Sequence, residues 1–209
     1  MKGLILKDLY MTRKYFRNYL FILILFLGLS FADGDNLFMI FYPGMICAMI
    51  PINLLAYDER SHWDIYSLTL PVTRDMAVSV KYLLGLLLLG AVYLLTAAAQ
   101  ALRMVLDGSF LWESYLVLLG LVWMAFLVSS SIALPFMFKL GVEKGRMAYY
   151  VMIGIICGCS AISAYVMDDL MAVEISLGTI LILGCILAAA IYAVSWYLSI
   201  RFYRNRELN

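Results

Sequence analysis

A chain of 209 residues with 65% hydrophobic residues, 14% charged residues and a mean hydropathy of +0.94 does not have the composition of a soluble globular domain. Soluble domains are about 45–50% apolar and about 25% charged, so we predict an integral membrane protein. The net charge of +1 indicates no particular class of partner. The four cysteines all lie inside apolar runs and form neither a disulfide framework nor a zinc pattern.

The first 18 residues are basic, with five Lys or Arg side chains and one acid. Ile5, Leu9, Thr12 and Phe16 fall on one helical face. We therefore predict an interfacial helix over 1–18 that lies on the lipid headgroups and turns into the first span. A solvated basic leader is the alternative.

Six apolar runs follow, most of them long enough for the roughly 20 residues of a membrane-spanning helix. They occupy 19–32, 37–57, 77–106, 111–138, 147–167 and 175–200, and a basic tail follows at 201–209. The predicted fold class is all-α, with six transmembrane helices in one domain over 19–200. Pro43 and Pro51 lie inside the second run and predict a kinked or unwound helix there.

The distribution of charge predicts the topology. With six spans and a cytoplasmic N-terminus, nearly all basic residues fall inside: Lys2, Lys7, Arg13, Lys14, Arg17, Arg60, Arg74, Lys81, Lys139, Lys144, Arg146, Arg201, Arg204 and Arg206. The outer segments hold only Arg103 among the basic residues, together with Asp33, Asp35, Asp107, Glu113, Asp168, Asp169 and Glu174. The positive-inside rule then places both termini in the cytoplasm.

The longest polar interruption is 58–74, between the second and third runs, with the sequence DERSHWDIYSLTLPVTR. Its ionisable side chains alternate with apolar and aromatic ones, so the segment is amphipathic and lies outside the membrane. Trp63 and Tyr66 are three residues apart and share a helical face. Without a partner, the segment would lie on the headgroups.

The chain lacks the common sequence motifs of ATP hydrolysis, of zinc proteases and of ion-coupled transport. The chain has no GxxxxGK[ST] phosphate loop, no HExxH pattern and no carboxylate or lysine near the centre of a run. Ser129, Ser130 and Ser131 are interpreted as packing residues whose hydroxyls bond to the backbone. We predict no catalytic, cofactor or metal site and no nucleic-acid partner; the chain is not an enzyme, and any transport must be driven by another chain.

The fifth run contains a small-residue face made by Gly154, Gly158 and Ala161. The GxxxG spacing of its two glycines allows two helices to approach closely. Self-association through this run is one interpretation of the pattern, and a chance occurrence, which is common in apolar segments, is the alternative.

Three stretches in order resemble the ABC-2 type permeases, in particular the small six-span bacterial subunits that accompany a separate ATPase. They are the opening MKGLILKDLY, the segment LLAYDERSHWDIYSLTLPVTR and the following Lys81-Tyr82-Leu83-Leu84-Gly85. The resemblance is strongest over 1–90. Within the family the chain is most similar to permeases that export phenol-soluble modulins, which are amphipathic peptide toxins.

The resemblance implies a coupling helix from Glu59 to about Leu68 that contacts the ATPase. Asp58 is expected to cap this helix, and Thr73 to cap the third span. The residues expected to couple to the ATPase are Asp58, Glu59, Arg60, Trp63, Asp64 and Tyr66, with Arg60 and Asp64 able to pair with each other or with the partner.

The resemblance also implies the assembly. A second permease copy or a sister chain would meet this one across Gly154, Gly158 and Ala161, and ATP and Mg would bind the partner ATPase. The complex would sit in the bacterial cytoplasmic membrane, contact its lipids and export an amphipathic peptide or a lipid-like molecule. A non-transport scaffold or sensor that recruits a partner through 58–74 is the alternative function.

Overall fold

The computed structural model describes residues 2–32, 37–69, 73–108, 110–147, 150 and 177–205. Within these ranges all regular structure is helical, so the all-α class is confirmed for the described part of the chain. A short helical stretch at 142–147 follows the long helix Trp112–Leu140. The helices are α1 (Lys2–Ala32), α2 (Leu37–Ala48), α3 (Ile50–Arg60), α4 (Trp63–Tyr66), α5 (Arg74–Leu106), α6 (Trp112–Leu140) and α7 (Leu177–Arg204), with a 3₁₀ turn at Ser67–Thr69.

Four helical stretches are long and apolar enough to cross a membrane: Ile40–Arg60, Arg74–Leu106, Trp112–Leu140 and Leu181–Arg204. They correspond to the second, third, fourth and sixth predicted runs. The first run contains a shorter apolar helix, Arg17–Ser30, and nearly all of the fifth lies outside the described residues. Within the described residues the structure therefore supports four candidate spans and does not confirm six.

The N-terminal helix is continuous. Its 31 residues run from Lys2 to Ala32 without a break, so the structure does not confirm a separate interfacial helix over 1–18 that turns into the first span. Neither Gly nor Pro, the residues that most disfavour a helix, lies between Leu4 and Leu27 to interrupt it.

The second run is broken, as its prolines predict. Helix α2 ends at Ala48, Met49 forms a turn, and α3 begins at Ile50 with Pro51 in its first turn. Proline lacks the N–H that would continue the ladder and fits the first turn of a helix, where no N–H bond is required. At Pro43 the helix continues. The predicted interruption is confirmed, and it lies next to Pro51.

The start of α5 confirms the predicted cap. Thr73 has extended backbone angles, and its hydroxyl accepts a hydrogen bond from the Met76 amide at 3.3 Å. This bond satisfies one of the amides that a helix start leaves without a partner.

Tyr82 of α5 lies at the centre of the packing between α5, α6 and α7. Its buried hydroxyl is 2.8 Å from Ser195 Oγ and 2.7 Å from Ser199 Oγ. Tyr192 donates to the Tyr82 carbonyl, and the Trp196 ring stacks on the Tyr82 ring with centroids 5.6 Å apart. Because no water satisfies polar groups in a membrane interior, such bonds hold helices together.

Candidate functional site

The polar segment after α3 does not form one helix. The chain leaves α3 at Arg60, turns through Ser61 and His62, and continues as α4 and the 3₁₀ turn. His62 has a φ of 52°, a left-handed conformation that ends the preceding helix. A single coupling helix over 59–68 is therefore not confirmed. The predicted capping role of Asp58 is wrong, because Asp58 lies within the last turns of α3.

Asp58 instead belongs to four charged side chains, which we call the charge cluster: Lys7 and Asp8 of α1, Asp58 of α3 and Lys81 of α5. Lys7 Nζ lies 2.6 Å from Asp58 Oδ1 and 3.4 Å from Asp8 Oδ1. Lys81 Nζ lies 2.8 Å from Asp8 Oδ2 and 2.7 Å from Asp58 Oδ2. Each cation thus contacts both carboxylates, and the cluster joins three helices.

The charge cluster is buried. Asp8, Asp58 and Lys81 are almost completely inaccessible, and the Lys7 side chain is 23% exposed. Removing a charge from water is costly unless a partner of opposite sign lies close by. Two cations and two anions balance here, so each charge depends on the other three, and the position of one helix constrains the other two.

The same three stretches that carry the family resemblance meet at the charge cluster. Lys7 and Asp8 come from the opening sequence, Asp58 from the polar segment, and Lys81 from the start of the third span. No site role was assigned to Lys7, Asp8 or Lys81 from sequence. Two features of the sequence could have indicated these residues. Asp8 is an acid within the basic N-terminal segment, and Lys81 is a lysine inside an apolar helix.

Trp63 connects the polar segment to the charge cluster. Lys7 Nζ lies 4.2 Å from the centroid of the Trp63 ring, a cation–π contact. The rings of Trp63 and Tyr66 pack with centroids 5.5 Å apart, so the two share a face, as their spacing predicts. Tyr66 is 56% exposed. Trp63 therefore contacts the chain's own charge cluster, while Tyr66 presents its ring outward.

Glu59 links the polar segment to the turn after α6. Its Oε2 accepts a hydrogen bond from the Val142 amide at 2.9 Å, at the start of the helical stretch 142–147. A carboxylate is favourable at a helix N-terminus because free amides and the helix dipole both favour negative charge there. Arg60 is exposed. The side chain of Asp64, and with it the predicted Arg60–Asp64 pair, lies outside the described residues.

The predicted small-residue face made by Gly154, Gly158 and Ala161 also lies outside the described residues. The structure agrees with the packing interpretation of one central serine, because Ser131 donates to the Leu127 carbonyl at 2.7 Å. In the described ranges, no group of three or more His, Cys, Asp or Glu side chains could hold a metal ion.

A protein-family model described as "ABC-2 family transporter protein" matches residues 3–204, which is nearly the whole chain. The matched region contains all four side chains of the charge cluster and the entire polar segment. Neither the search of curated proteins nor the search of solved structures found a match.

Proposed function

Because this chain belongs to the ABC-2 family of transporter proteins, we propose that it is the permease subunit of an ATP-driven exporter. Members of the family are membrane transport components and are not themselves catalytic, and four long apolar helices agree with a membrane location. The family generally implies an ABC-type ATPase partner. ATP and Mg bind that partner, which supplies the energy.

The observation that carries the proposal is the physical connection between Tyr66 and the bundle. Tyr66 is exposed, its ring packs on Trp63, and Trp63 lies under Lys7 of the charge cluster. A force applied at Tyr66 by a closing ATPase therefore reaches α1, α3 and α5 together. Buried charges make this connection stiff, since separating them without solvent is costly.

The assembly follows from this coupling. Two permease copies, or this chain and a sister, rock against each other through Gly154, Gly158 and Ala161, and open alternately to the two sides of a bacterial cytoplasmic membrane. Both termini lie in the cytoplasm. The substrate is an amphipathic peptide or a lipid-like molecule, because the spans carry many aromatics, methionines and hydroxyls and few charged residues.

We expect Trp63→Ala combined with Tyr66→Ala to reduce co-purification of the ATPase by about tenfold or more, since buried aromatic anchors dominate interface affinity. ATP-dependent transport falls in parallel. The measurement is the amount of ATPase recovered with the tagged chain. Tyr66→Ala alone is expected to produce most of this loss, because Trp63 contacts the chain's own Lys7.

A matched control lies at the start of α6. Trp112 and Tyr115 have the same three-residue spacing and ring centroids 6.3 Å apart, but belong to the opposite end of the bundle in the proposed topology. Trp112→Ala with Tyr115→Ala should leave ATPase recovery unchanged. Equal recovery with both double variants would contradict the coupling role of Trp63 and Tyr66.

The scaffold alternative predicts a different dependence on nucleotide. A scaffold or sensor would bind its partner through 58–74 whether or not ATP is hydrolysed, and would move no substrate. ATP hydrolysis by the purified complex that rises on addition of an amphipathic peptide would favour the exporter. A rate of ATP hydrolysis that does not change with any added peptide or lipid would favour the scaffold.

We expect leucine at Gly154 and Gly158 to weaken dimerisation, because close helix approach requires small residues. The measurement is disulfide cross-linking between single cysteines introduced elsewhere in the fifth run. Gly28→Leu is the control, since a Cβ at Gly28 of α1 would meet no atom within 4 Å. Unchanged cross-linking in the Gly154→Leu, Gly158→Leu variant would count against this interface.

A further inference from the structure

A groove of about 390 Å³ lies between α1 and α5, separate from the charge cluster. Leu6 and Tyr10 on its α1 side are 53% and 64% exposed, and Arg13 is also exposed. Among the described residues no acidic side chain pairs with Arg13. The groove is lined by Leu6, Leu9, Tyr10, Thr12, Arg13 and Leu88.

The position of this groove along the bundle can be measured from a contact at the opposite end of α1 and α5. There, Gln100 of α5 donates to Ser30 of α1 at 3.3 Å, which places the two residues at one level. Along the helix axes, Leu88 lies about 18 Å and Arg13 about 26 Å below that level. Arg103 lies about 5 Å beyond it.

These distances match the dimensions of a bilayer. Arg13 and Arg103 are separated by about 30 Å along the bundle, which is the thickness of the hydrocarbon core. Leu88 then lies at the depth of acyl chains, whereas Arg13 and Tyr10 lie at the depth of lipid headgroups. A soluble partner cannot reach Leu88 at that depth, but a lipid of the adjoining leaflet can.

We propose that this groove binds an anionic phospholipid in the leaflet next to the N-terminus. An acyl chain runs from the level of Arg13 along the groove to Leu88, and the phosphate lies against the Arg13 guanidinium, whose fork of N–H donors matches phosphate oxygens. The Tyr10 ring lies at the interface, where tyrosine is favoured in membrane proteins. Arg13 lies about one and a half turns of α1 from Asp8 of the charge cluster. This inference does not depend on transport activity.

The test compares lipid retention by the full chain in nanodiscs of phosphatidylcholine containing phosphatidylglycerol. Lipids that remain bound after extraction are counted by native mass spectrometry. We expect the wild type to retain phosphatidylglycerol in preference to phosphatidylcholine, and Arg13→Gln to reduce that retention about fivefold. Arg13→Lys should retain an intermediate amount, because it keeps the charge and loses the fork.

Arg201→Gln is the matched control, since Arg201 is an exposed arginine near the end of α7, away from the groove. It should retain as much phosphatidylglycerol as the wild type. Equal retention of both lipids by the wild type would overturn the proposal. So would equal losses in Arg13→Gln and Arg201→Gln, which would indicate a diffuse basic surface. If Arg13→Gln failed to fold, the same comparison between Arg13→Lys and Arg201→Gln would decide the question.

Discussion

Lys81→Met should destabilise the protein by about 3–5 kcal/mol, because it removes one partner from a buried set of charges. Asp8 and Asp58 would remain buried with Lys7 alone to balance them, and Lys7 contacts Asp8 only at 3.4 Å. Methionine is close to lysine in length, so the change isolates the charge. Thermal unfolding of the purified chain in detergent, followed by size exclusion, measures the effect.

Two further variants separate charge from packing. Lys144 is exposed in the short helical stretch 142–147, so Lys144→Met should change stability by no more than about 0.5 kcal/mol. Lys81→Met combined with Asp8→Asn removes one charge of each sign and should recover part of the loss. If Lys81→Met were as stable as Lys144→Met, the charge cluster would not hold these helices together.

Gly44→Ala should destabilise the protein by about 1–3 kcal/mol through overpacking. A Cβ at Gly44 of α2 would overlap the ring of Phe126 of α6, and Phe126 is fully buried, so its ring has no free space to enter. The two helices therefore meet at a position that only glycine allows. The loss of thermal stability in detergent measures this cost.

Gly90→Ala is the control for the glycine itself. A Cβ at Gly90 of α5 would meet no atom within 4 Å, and alanine is the better helix former by about 1 kcal/mol. We expect Gly90→Ala to be neutral or slightly stabilising. Phe126→Leu should relieve the overlap and restore part of the stability when combined with Gly44→Ala. Equal stability of Gly44→Ala and Gly90→Ala would show that α2 and α6 are not in close contact at this point.

The charge cluster also changes the interpretation of the polar segment. From sequence, Trp63 and Tyr66 formed one partner-facing pair. In the structure Trp63 lies under Lys7, and Tyr66 is the exposed member of the pair. The proposed contact with the ATPase thus rests mainly on Tyr66, and Trp63 connects that contact to the buried charges.

Local features were predictable because their causes are local. Pro51 interrupts the second run through its own missing N–H, and Thr73 caps α5 through a hydroxyl three residues from its partner. The structure shows a continuous α1 where the sequence predicted a separate interfacial helix over 1–18, because a basic stretch next to an apolar run is compatible with either arrangement. The capping role of Asp58 was wrong because α3 continues through Asp58 to Arg60, and the carboxylate pairs with lysines of two other helices.

Composition and periodicity by themselves determined the membrane class, the four candidate spans now described and the amphipathic pattern of 58–74, because each depends on residues near one another in the chain. Only the tertiary structure decided that Asp58 pairs with Lys7 and Lys81, which are far from it in sequence. It also decided that Gly44 meets Phe126. Such pairings depend on which helix faces come together, and that is set by the packing of the whole bundle.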